Sequence, residues 1–295
     1  MSSLHVGPSA ANRTPKIRRS ERPRTRNRAC GSAAPAFLAI LLILLVATTV
    51  FIFAARLYPA PAPISFDAVR IDRQYNLTLY ATGVAFVLAQ LGLAYAGVRF
   101  RDRGQNARFV RGNVALEIFW TLLTLLVFLG LGMLGRKAWA DARFTPSVSG
   151  ALQVEATTYQ FVYAFRYPGA DGKFGRLDPS LVNAPAGNPL GIDPNDPAGR
   201  DDIVVSELTV PVNQPVELLL RSEDVIHSFF VRELRLQQDA VPGMVIPIAF
   251  TASQVGQYEI VCTQLCGLGH YKMHSLLHVV SQAEFETFLH QAAAP

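Results

Sequence analysis

Three long stretches without a charged residue constrain the fold of this chain more than any other feature. They run from Ala29 to Ala55, from Gln74 to Val98 and from Ile118 to Gly135. A helix that spans a bilayer needs about 17–25 mostly apolar residues, and backbone in lipid must satisfy its own hydrogen bonds. Each stretch therefore predicts a transmembrane helix, because three such runs are hard to bury as core helices of a soluble protein.

Basic residues around these stretches predict the orientation. Eight Lys or Arg and one acid lie between Arg13 and Arg28, and five Arg and one Asp lie between Arg99 and Arg111. Positive charge favours the cytoplasmic side, so the residues after the third stretch are expected outside. The first apolar run is longer than the roughly 7–15 residues typical of a signal peptide. This favours a retained anchor, while a cleaved signal or an organellar transit peptide stays open.

The charge of the chain is divided between its two ends. From Thr145 onward there are 8 Lys or Arg and 16 Asp or Glu, a balance of 8 − 16 = −8, whereas the whole chain carries +5. An acidic surface attracts a basic partner and speeds their encounter, although ordinary solubilising charge explains it equally well. No nucleic-acid partner is expected.

Short β-rich runs follow Thr145 and are separated by Pro, Gly, Asn and Asp. They predict an antiparallel sandwich or barrel. A Pro- and Gly-rich insert from Gly169 to Asp202 interrupts them, and Ser281 followed by Glu284 predicts a capped C-terminal helix. The runs are LQVEATTY, QFVYAFRY, IVVSELTV, PVELLLRS, IPIAFTA, QYEIVCT and SLLHVV.

Soft metal ligands are concentrated in the stretch VCTQLCGLGHYKMH, Val261 to His274. Cys262 and Cys266 could form a disulfide or bind zinc together with histidines. Neither interpretation explains Met273, because a thioether is a copper ligand rather than a zinc ligand. Two thiolates in one loop have room to bridge two metal ions.

The loop is expected to curl, because Gly267 and Gly269 accept unusual backbone conformations. His270 can then point with the sulfur ligands at one site. A further, distant histidine is supplied by SEDVIHSFFV, where His227 lies between two β runs among apolar neighbours that make an unpaired imidazole costly. We expect His227 and His270 to be ligands in preference to the remaining candidates, which are His274, His278 and His290.

The pattern Cys-x-x-x-Cys-Gly-x-x-His-x-x-Met resembles the binuclear copper A centre of cytochrome c oxidase subunit II. SEDVIHSFFV, the following DAVPG and the helix opening GNVALEIFWT resemble the same family, so that the similarity extends from about Asp72 to the C-terminus. The resemblance implies a helical membrane hairpin, here with an additional N-terminal helix, followed by an all-β cupredoxin-like Greek-key barrel. The ligands that it implies for two copper ions are His227, Cys262, the backbone carbonyl of Gln264, Cys266, His270 and Met273.

The resemblance also implies a function. The chain would be an oxidoreductase and translocase subunit that accepts electrons from a basic cytochrome c. It would pass them to a haem–copper catalytic subunit I, accompanied by subunit III, where haems reduce O2 to water with proton translocation. No catalytic residue is expected in this chain. It would lie in the bacterial plasma membrane as a multi-pass protein, with the copper domain on the periplasmic side. The expected divisions are 1–35 basic tail, 36–56 first helix, 72–138 hairpin, 145–281 copper domain and 282–295 C-terminal helix.

Two positions depart from the family pattern. Gln264 stands where Glu is usual, which keeps the carbonyl ligand but removes a carboxylate that helps to hold magnesium. Phe161 stands where the family has the Trp through which electrons enter. By the same resemblance, Glu223, Asp224 and Asp239 would form the cytochrome c docking area. Glu117 would mark the mouth of a proton path, or simply the start of a helix.

Alternatives remain at this point. A haem–copper nitric oxide reductase can use a similar copper subunit. A copper-delivery protein of the thioredoxin type also has Cys-x-x-x-Cys with a distant His, but there the cysteines open a helix after a strand. A purely structural disulfide or zinc domain is a further possibility, whereas a quinol oxidase subunit would normally lack these cysteines.

Overall fold

The computed structural model of the protein describes residues 33–55, 57, 59–101, 109–143 and 149–293. The basic tail and residues 102–108 of the Arg-rich segment lie outside the described residues, and so do most of the basic residues that predict the orientation.

Three helices come first: α1 (Ala34–Ala54), α2 (Phe66–Arg99) and α3 (Val114–Arg143). All three are long and apolar enough to cross a membrane, and most of their large apolar side chains are exposed. Soluble proteins rarely expose apolar surfaces of this size to water, and such surfaces mark contact with a membrane or a partner. The predicted membrane segments are therefore confirmed.

The helical hairpin is longer than the predicted range 72–138. Helix α2 begins at Phe66 because the Ser65 side chain accepts a hydrogen bond from the Ala68 N–H at 3.0 Å and caps the helix there. Charged residues follow within its first two turns, so a search for uncharged runs places the start too late. Helix α1 likewise ends at Ala54, slightly before the predicted boundary.

Buried apolar side chains and one polar side chain form contacts between the helices. Ala39 and Val46 of α1 are buried, as is Ala94 of α2. Gln74 of α2 donates a hydrogen bond from Nε2 to the carbonyl oxygen of Leu131 in α3 at 3.3 Å. Inside a membrane such an interhelical bond satisfies a polar group that would otherwise face lipid.

In the part of the chain that the structure describes, ten strands form a β domain after α3, in two five-stranded sheets ordered β3-β2-β1-β5-β8 and β4-β10-β9-β6-β7. Their apolar sides pack against each other in one core, which agrees with the predicted cupredoxin-like Greek-key barrel. The strands are β1 (Leu152–Tyr159), β2 (Val162–Tyr167), β3 (Ile203–Val205), β4 (Leu208–Pro211), β5 (Pro215–Ser222), β6 (His227–Val231), β7 (Leu236–Ala240), β8 (Ile246–Thr251), β9 (Gly256–Val261) and β10 (His274–Val280).

The strands differ from the prediction in three ways. The sheets are mixed rather than antiparallel, because β1 pairs in parallel with β5 and β4 pairs in parallel with β10. The run IVVSELTV is not one strand: it breaks at the exposed residues Ser206 and Glu207, and its halves join different sheets. Strand β7 was not among the predicted runs, since its polar sequence LQQDA lacks a β-rich pattern.

Two further elements complete the domain. The insert from Gly169 to Asp202 forms short 3-10 turns and covers the outer side of the first sheet, where it buries Arg166 of β2. Helix α4 (Gln282–Ala292) begins with the predicted capping box between Ser281 and Glu284.

Candidate metal centre

Sheet pairing fixes both ends of the ligand-rich loop. Strands β9 and β10 pair antiparallel with Val261 opposite His274, and the Cys262 N–H donates to the Met273 carbonyl oxygen at 3.2 Å. The loop therefore closes a hairpin. Strand β6 pairs with the other side of β9 and contributes His227 as its first residue. Ligands that are distant in sequence are thus held by neighbouring strands of one sheet.

The donor atoms of His227, Cys262 and Cys266 lie within 4.8 Å of one another, and all three residues are buried. The two Sγ atoms are 3.9 Å apart, far beyond the disulfide bond length of about 2.05 Å. Both cysteines are free. The structure therefore contains two adjacent thiols rather than the alternative disulfide.

The other predicted ligands surround this pair. The Nδ1 atom of His270 lies 3.5 Å from the Cys266 Sγ atom, and the Gln264 carbonyl oxygen lies 3.1 Å from the Cys262 Sγ atom. The Met273 Sδ atom is 3.1 Å from Nδ1 of His227. All six predicted donor groups are thus brought together around the two sulfurs.

Two of the competing histidines are engaged elsewhere. His274 is exposed, and its Nδ1 atom lies 2.9 Å from the Lys272 carbonyl oxygen. The Nε2 atom of His278 lies 2.8 Å from a carboxylate oxygen of Glu207. His290 belongs to the last turn of α4.

The donor set fits copper. Two sulfurs, two imidazoles, a thioether and a carbonyl make a soft site, and neighbouring thiolates can each contact two ions. Burial raises the pKa of the Cys266 thiol to about 11, and the nearby Cys262 sulfur adds to the rise. At neutral pH the thiol would be protonated without a metal, so metal binding must release its proton.

Sequence reasoning missed the polar groups that support the loop. Ser228 and Thr263 connect β6 to the loop: their hydroxyl oxygens are 2.6 Å apart, and the Thr263 N–H donates to Ser228 Oγ at 2.7 Å. The buried Tyr163 hydroxyl donates to the Ser228 carbonyl oxygen at 2.6 Å. Burial raises the pKa of Tyr163, and the two cysteine sulfurs raise it further. It therefore remains a neutral donor.

Asp224 is tied to the site rather than free on the surface. One of its oxygens lies 2.8 Å from His227 Nε2, and the other accepts the Gln160 N–H at 2.8 Å. Burial opposes ionisation of Asp224, but the hydrogen bonds from His227, Val225 and Gln160 outweigh it and lower its pKa. A carboxylate on the outer nitrogen of a ligand imidazole fixes its tautomer and orientation.

Phe161 packs directly on the ligand loop. A Cβ atom built on Gly269 would overlap the Phe161 ring, and one built on Gly267 would come within 3.2 Å of it. The adjacent Gln160 donates from Nε2 to the Cys266 carbonyl oxygen at 2.6 Å. The connection between β1 and β2 therefore braces the loop, and no signal in the sequence pointed to Gln160.

We expect Gly269→Ala to disturb the loop through this contact alone. Gly269 has φ −91°, which alanine also adopts, so the cost of about 1–3 kcal/mol comes from overlap with Phe161. Urea unfolding and copper retention measure the effect. The double variant Gly269→Ala/Phe161→Leu should recover most of the loss, and no recovery would show that the ring is not the obstacle.

The remaining predicted residues occupy three different settings. Glu223 is exposed next to Asp224, and partial burial together with that neighbouring charge raises its pKa. Asp239 of β7 is half-buried opposite Ser228. Glu117 lies in the first turn of α3, where the Asn113 side chain caps the helix by accepting the Leu116 N–H. An acid suits this position for helix stability alone, and the proton path stays a prediction.

Known proteins resemble this chain over most of its length. The family described as "Cytochrome C oxidase subunit II, periplasmic domain" matches residues 195–280. An alternative cytochrome c oxidase subunit 2 of Bradyrhizobium diazoefficiens is 33% identical over 232 residues, which cover 78% of this chain and 82% of that protein. Cytochrome c oxidase subunit 2 of Cereibacter sphaeroides is 28% identical over 247 residues, covering 79% and 78%.

A solved structure of the periplasmic domain of cytochrome oxidase subunit II from Bradyrhizobium japonicum is also similar. It is 28% identical, covers 48% of this chain and 92% of that chain, and gives a TM-score of 0.36. The identity and coverage of the Bradyrhizobium diazoefficiens relative, together with the matching family domain, establish the relationship. The chain belongs to the cytochrome c oxidase subunit II family, whose members are subunits of haem–copper oxidoreductases.

Proposed function

We propose that this chain is the subunit through which electrons from a basic cytochrome c reach a terminal haem–copper oxidase. The observation that carries the proposal is the convergence of two free, buried thiols 3.9 Å apart with imidazole, thioether and carbonyl donors around them. The catalytic subunit I and subunit III would be its partners in the bacterial plasma membrane. The β domain would lie on the periplasmic side, and reduction of O2 to water would take place at haems outside this chain, coupled to proton translocation.

The chain's own residues would hold two copper ions in a rigid frame. Cys262, Cys266, His227 and His270 would be the principal ligands of the ions. Met273 and the carbonyl of Gln264 would be weaker ligands. When bound, the copper pair would supply a one-electron redox couple shared over two ions. Strands β6, β9 and β10 hold these side chains in place, so little movement would accompany a change of charge.

The outer shell would tune the site and exclude water. Phe229, next to Ser228 on β6, is fully buried, and apolar cover of this kind controls the potential of a metal centre. Phe161, packed on the loop, would be the side chain through which electrons enter. Glu117 would lie at the mouth of a proton path.

The structure bears differently on the two alternative functions, a copper-delivery protein and a subunit of a nitric oxide reductase. In a copper-delivery protein of the thioredoxin type the cysteines open a helix, whereas here they lie in the loop between β9 and β10. The structure therefore favours the oxidase subunit. A copper subunit of a nitric oxide reductase is the second candidate, because Gln264 and Phe161 depart from the usual oxidase residues. The active-site ligands of the partner catalytic subunit would distinguish these two.

The rate at which the assembled complex accepts electrons from a reduced basic cytochrome c tests the proposal. Attraction between a basic donor and an acidic surface speeds encounter at low salt, so the rate should fall steeply as salt is added. We expect Glu223→Gln and Asp239→Asn each to lower the low-salt rate by roughly two- to fivefold, since loss of a rim charge mainly slows association.

Variants at other acids make the test specific. Glu286→Gln, on the exposed side of α4, is the matched control and should leave the rate unchanged. Asp224→Asn should also alter the copper spectrum, because Asp224 contacts His227. If the rate of electron acceptance changes neither with salt concentration nor in the Glu223 and Asp239 variants, docking at this surface would be contradicted.

A further inference from the structure

Arg235 connects the β domain to the membrane helices. Its Nε and Nη2 atoms donate to the two carboxylate oxygens of Asp72 in α2 at 2.8 and 2.9 Å. Nη2 also donates to the carbonyl oxygen of Pro61, in the linker before α2, at 2.7 Å. Both side chains are largely shielded, with 14% of Arg235 and 30% of Asp72 exposed. Two parallel charge-assisted bonds of this kind fix direction as well as distance.

Backbone contacts reinforce this connection. The Ile64 N–H donates to the Glu233 carbonyl oxygen at 3.1 Å, and the Ile64 carbonyl oxygen accepts the Ser253 N–H at 2.7 Å. The Ile64 side chain is only 1% exposed and belongs to the core of the β domain. The linker and the start of α2 are thus fixed to the β domain, and we call these contacts together with the Arg235–Asp72 pair the clamp.

The end of α3 meets the same region. The Arg143 guanidinium donates to the Gln237 carbonyl oxygen and, at 3.1 Å, to Oε1 of Gln238. The start of α2 and the end of α3 therefore both contact β7 or the turn that precedes it. This arrangement places these two helix ends on the same side, as a membrane hairpin below an outer domain requires.

The clamp is connected to the metal centre by one short β-ribbon. Strands β6 and β7 pair with His227 opposite Ala240 and Val231 opposite Leu236. Arg235 lies in the turn between them, so the ligand is at one end of the ribbon and the clamp at the other. Four residue steps along a strand span about 13 Å. Pairing of β6 with β9 stiffens the ribbon.

The backbone at Arg235 is a second, independent observation. Its φ is +54°, a left-handed conformation that glycine adopts without steric cost and that arginine adopts only against it. Arg235 adopts this conformation at the end of the 3-10 turn Arg232–Leu234, where its N–H donates to the Arg232 carbonyl oxygen at 3.2 Å. The chain thus has arginine at a turn position that suits glycine, and the arginine guanidinium makes the contacts to Asp72 and Pro61.

We propose that Arg235 and Asp72 are positioning residues that set the place of the metal centre relative to the membrane helices. The inference rests on the proposed function, because its consequence is the rate of electron transfer out of the centre toward the haem subunit. Neither residue touches a metal ligand. Their loss should leave metal binding and electron acceptance intact and slow only the onward step.

Arg235→Gly in the assembled, copper-loaded complex tests this proposal. Glycine suits φ +54°, so the variant removes the guanidinium contacts to Asp72 and Pro61 without new backbone strain. We expect unchanged copper content and copper spectrum, and unchanged electron acceptance from cytochrome c. Copper-to-haem transfer should be roughly tenfold slower, because small misplacements of reacting groups reduce rates strongly. Hydrogen exchange of the Ile64 and Ser253 amides should become faster.

Rescue and control variants complete the design. The exchange Asp72→Arg with Arg235→Asp should restore much of the onward rate, since Asp tolerates left-handed backbone. Arg232→Gln is the matched control: its side chain is 64% exposed and pairs with Glu233, and its rates should equal those of wild type. If Arg235→Gly reduces assembly, Arg235→Lys, which keeps the charge but loses the fork, provides the same comparison.

The outcomes separate this inference from the proposed function. An onward rate in Arg235→Gly equal to that of wild type would overturn the positioning role. Unchanged exchange of the Ile64 and Ser253 amides would show that the Arg235–Asp72 pair does not hold the linker on the β domain, whether or not copper is bound. Failure of the wild-type chain to bind copper would instead contradict the proposed function.

Discussion

Replacement of Cys266 by serine is expected to reduce the copper bound by the purified full-length chain from two ions to at most one. The serine hydroxyl cannot bridge two copper ions as a thiolate does, and it would stay protonated near neutral pH. Loss of an outer-shell partner typically lowers metal affinity by roughly 10–100-fold, so loss of a bridging ligand should exceed that range. Metal analysis together with the visible spectrum measures the result, and Cys262→Ser should behave in the same way.

The chain offers a matched control for these variants. Cys30 is its only other cysteine, and it precedes the first membrane helix, far in sequence from the ligand loop. Cys30→Ser should therefore keep the copper content and spectrum of wild type. Full copper content in Cys266→Ser would contradict the bridging role, and a loss in Cys30→Ser would show that copper binding depends on more than the described site.

Arg166→Met is expected to cause the largest loss of stability in the β domain. Arg166 is 1% exposed, and its guanidinium binds Glu155, Asp202 and the Gly175 carbonyl oxygen. Methionine would leave the two buried carboxylates with too little positive charge, because only Arg221 remains, 3.1 Å from Glu155. Breaking a buried ion pair from one side costs about 3–5 kcal/mol. Hydrogen exchange of the β1 and β2 amides reports the free energy of unfolding.

Arg176→Met provides the comparison at an exposed site. Arg176 also binds an aspartate of the insert, Asp193, which is 8% exposed, but 70% of the Arg176 side chain faces solvent. Solvent around the guanidinium weakens the pair, and Asp193 keeps its hydrogen bond from the Asn195 N–H at 2.9 Å, so amide exchange in β1 and β2 should change much less than in Arg166→Met. Equal effects of the Arg166 and Arg176 variants would show that burial of the Arg166 network does not stabilise the domain.

The ligand loop could be predicted from sequence because its information is local. The spacing of Cys262, Cys266, His270 and Met273 indicates a site of soft ligands within one loop. Closure of the hairpin between β9 and β10 brings these donors together. His227 could be chosen because its apolar neighbours made an unpaired imidazole costly. The membrane helices could also be predicted from the sequence, since their length and lack of charged residues identify them.

Other features depend on contacts between distant segments. Nothing in the local sequence of β1 and β5 specifies their parallel pairing, because alternation of apolar residues fits either direction. The insert had no predicted role, since the buried partner of its Asp202 is Arg166, 36 residues earlier. The sequence indicates Asp224 only as a surface charge of the docking area, whereas in the fold His227 and Gln160 bind its two oxygens.

The role of Arg235 could not be predicted from the sequence either. Its surroundings, RELRLQQ from Arg232 to Gln238, are typical of a charged turn, and its left-handed backbone is evident only in the structure. Its partner Asp72 is 163 positions away in the chain. The connection between the metal centre and the helices therefore emerges only from the fold.

The electron spin resonance spectrum of the copper-loaded, full-length chain tests the central claim most directly. Two bridging thiolates and two imidazoles should hold two equivalent copper ions that share one unpaired electron. The account predicts hyperfine splitting from two equivalent copper nuclei, with two ions bound per chain. Splitting from a single copper nucleus, or no copper uptake by the folded chain, would contradict it.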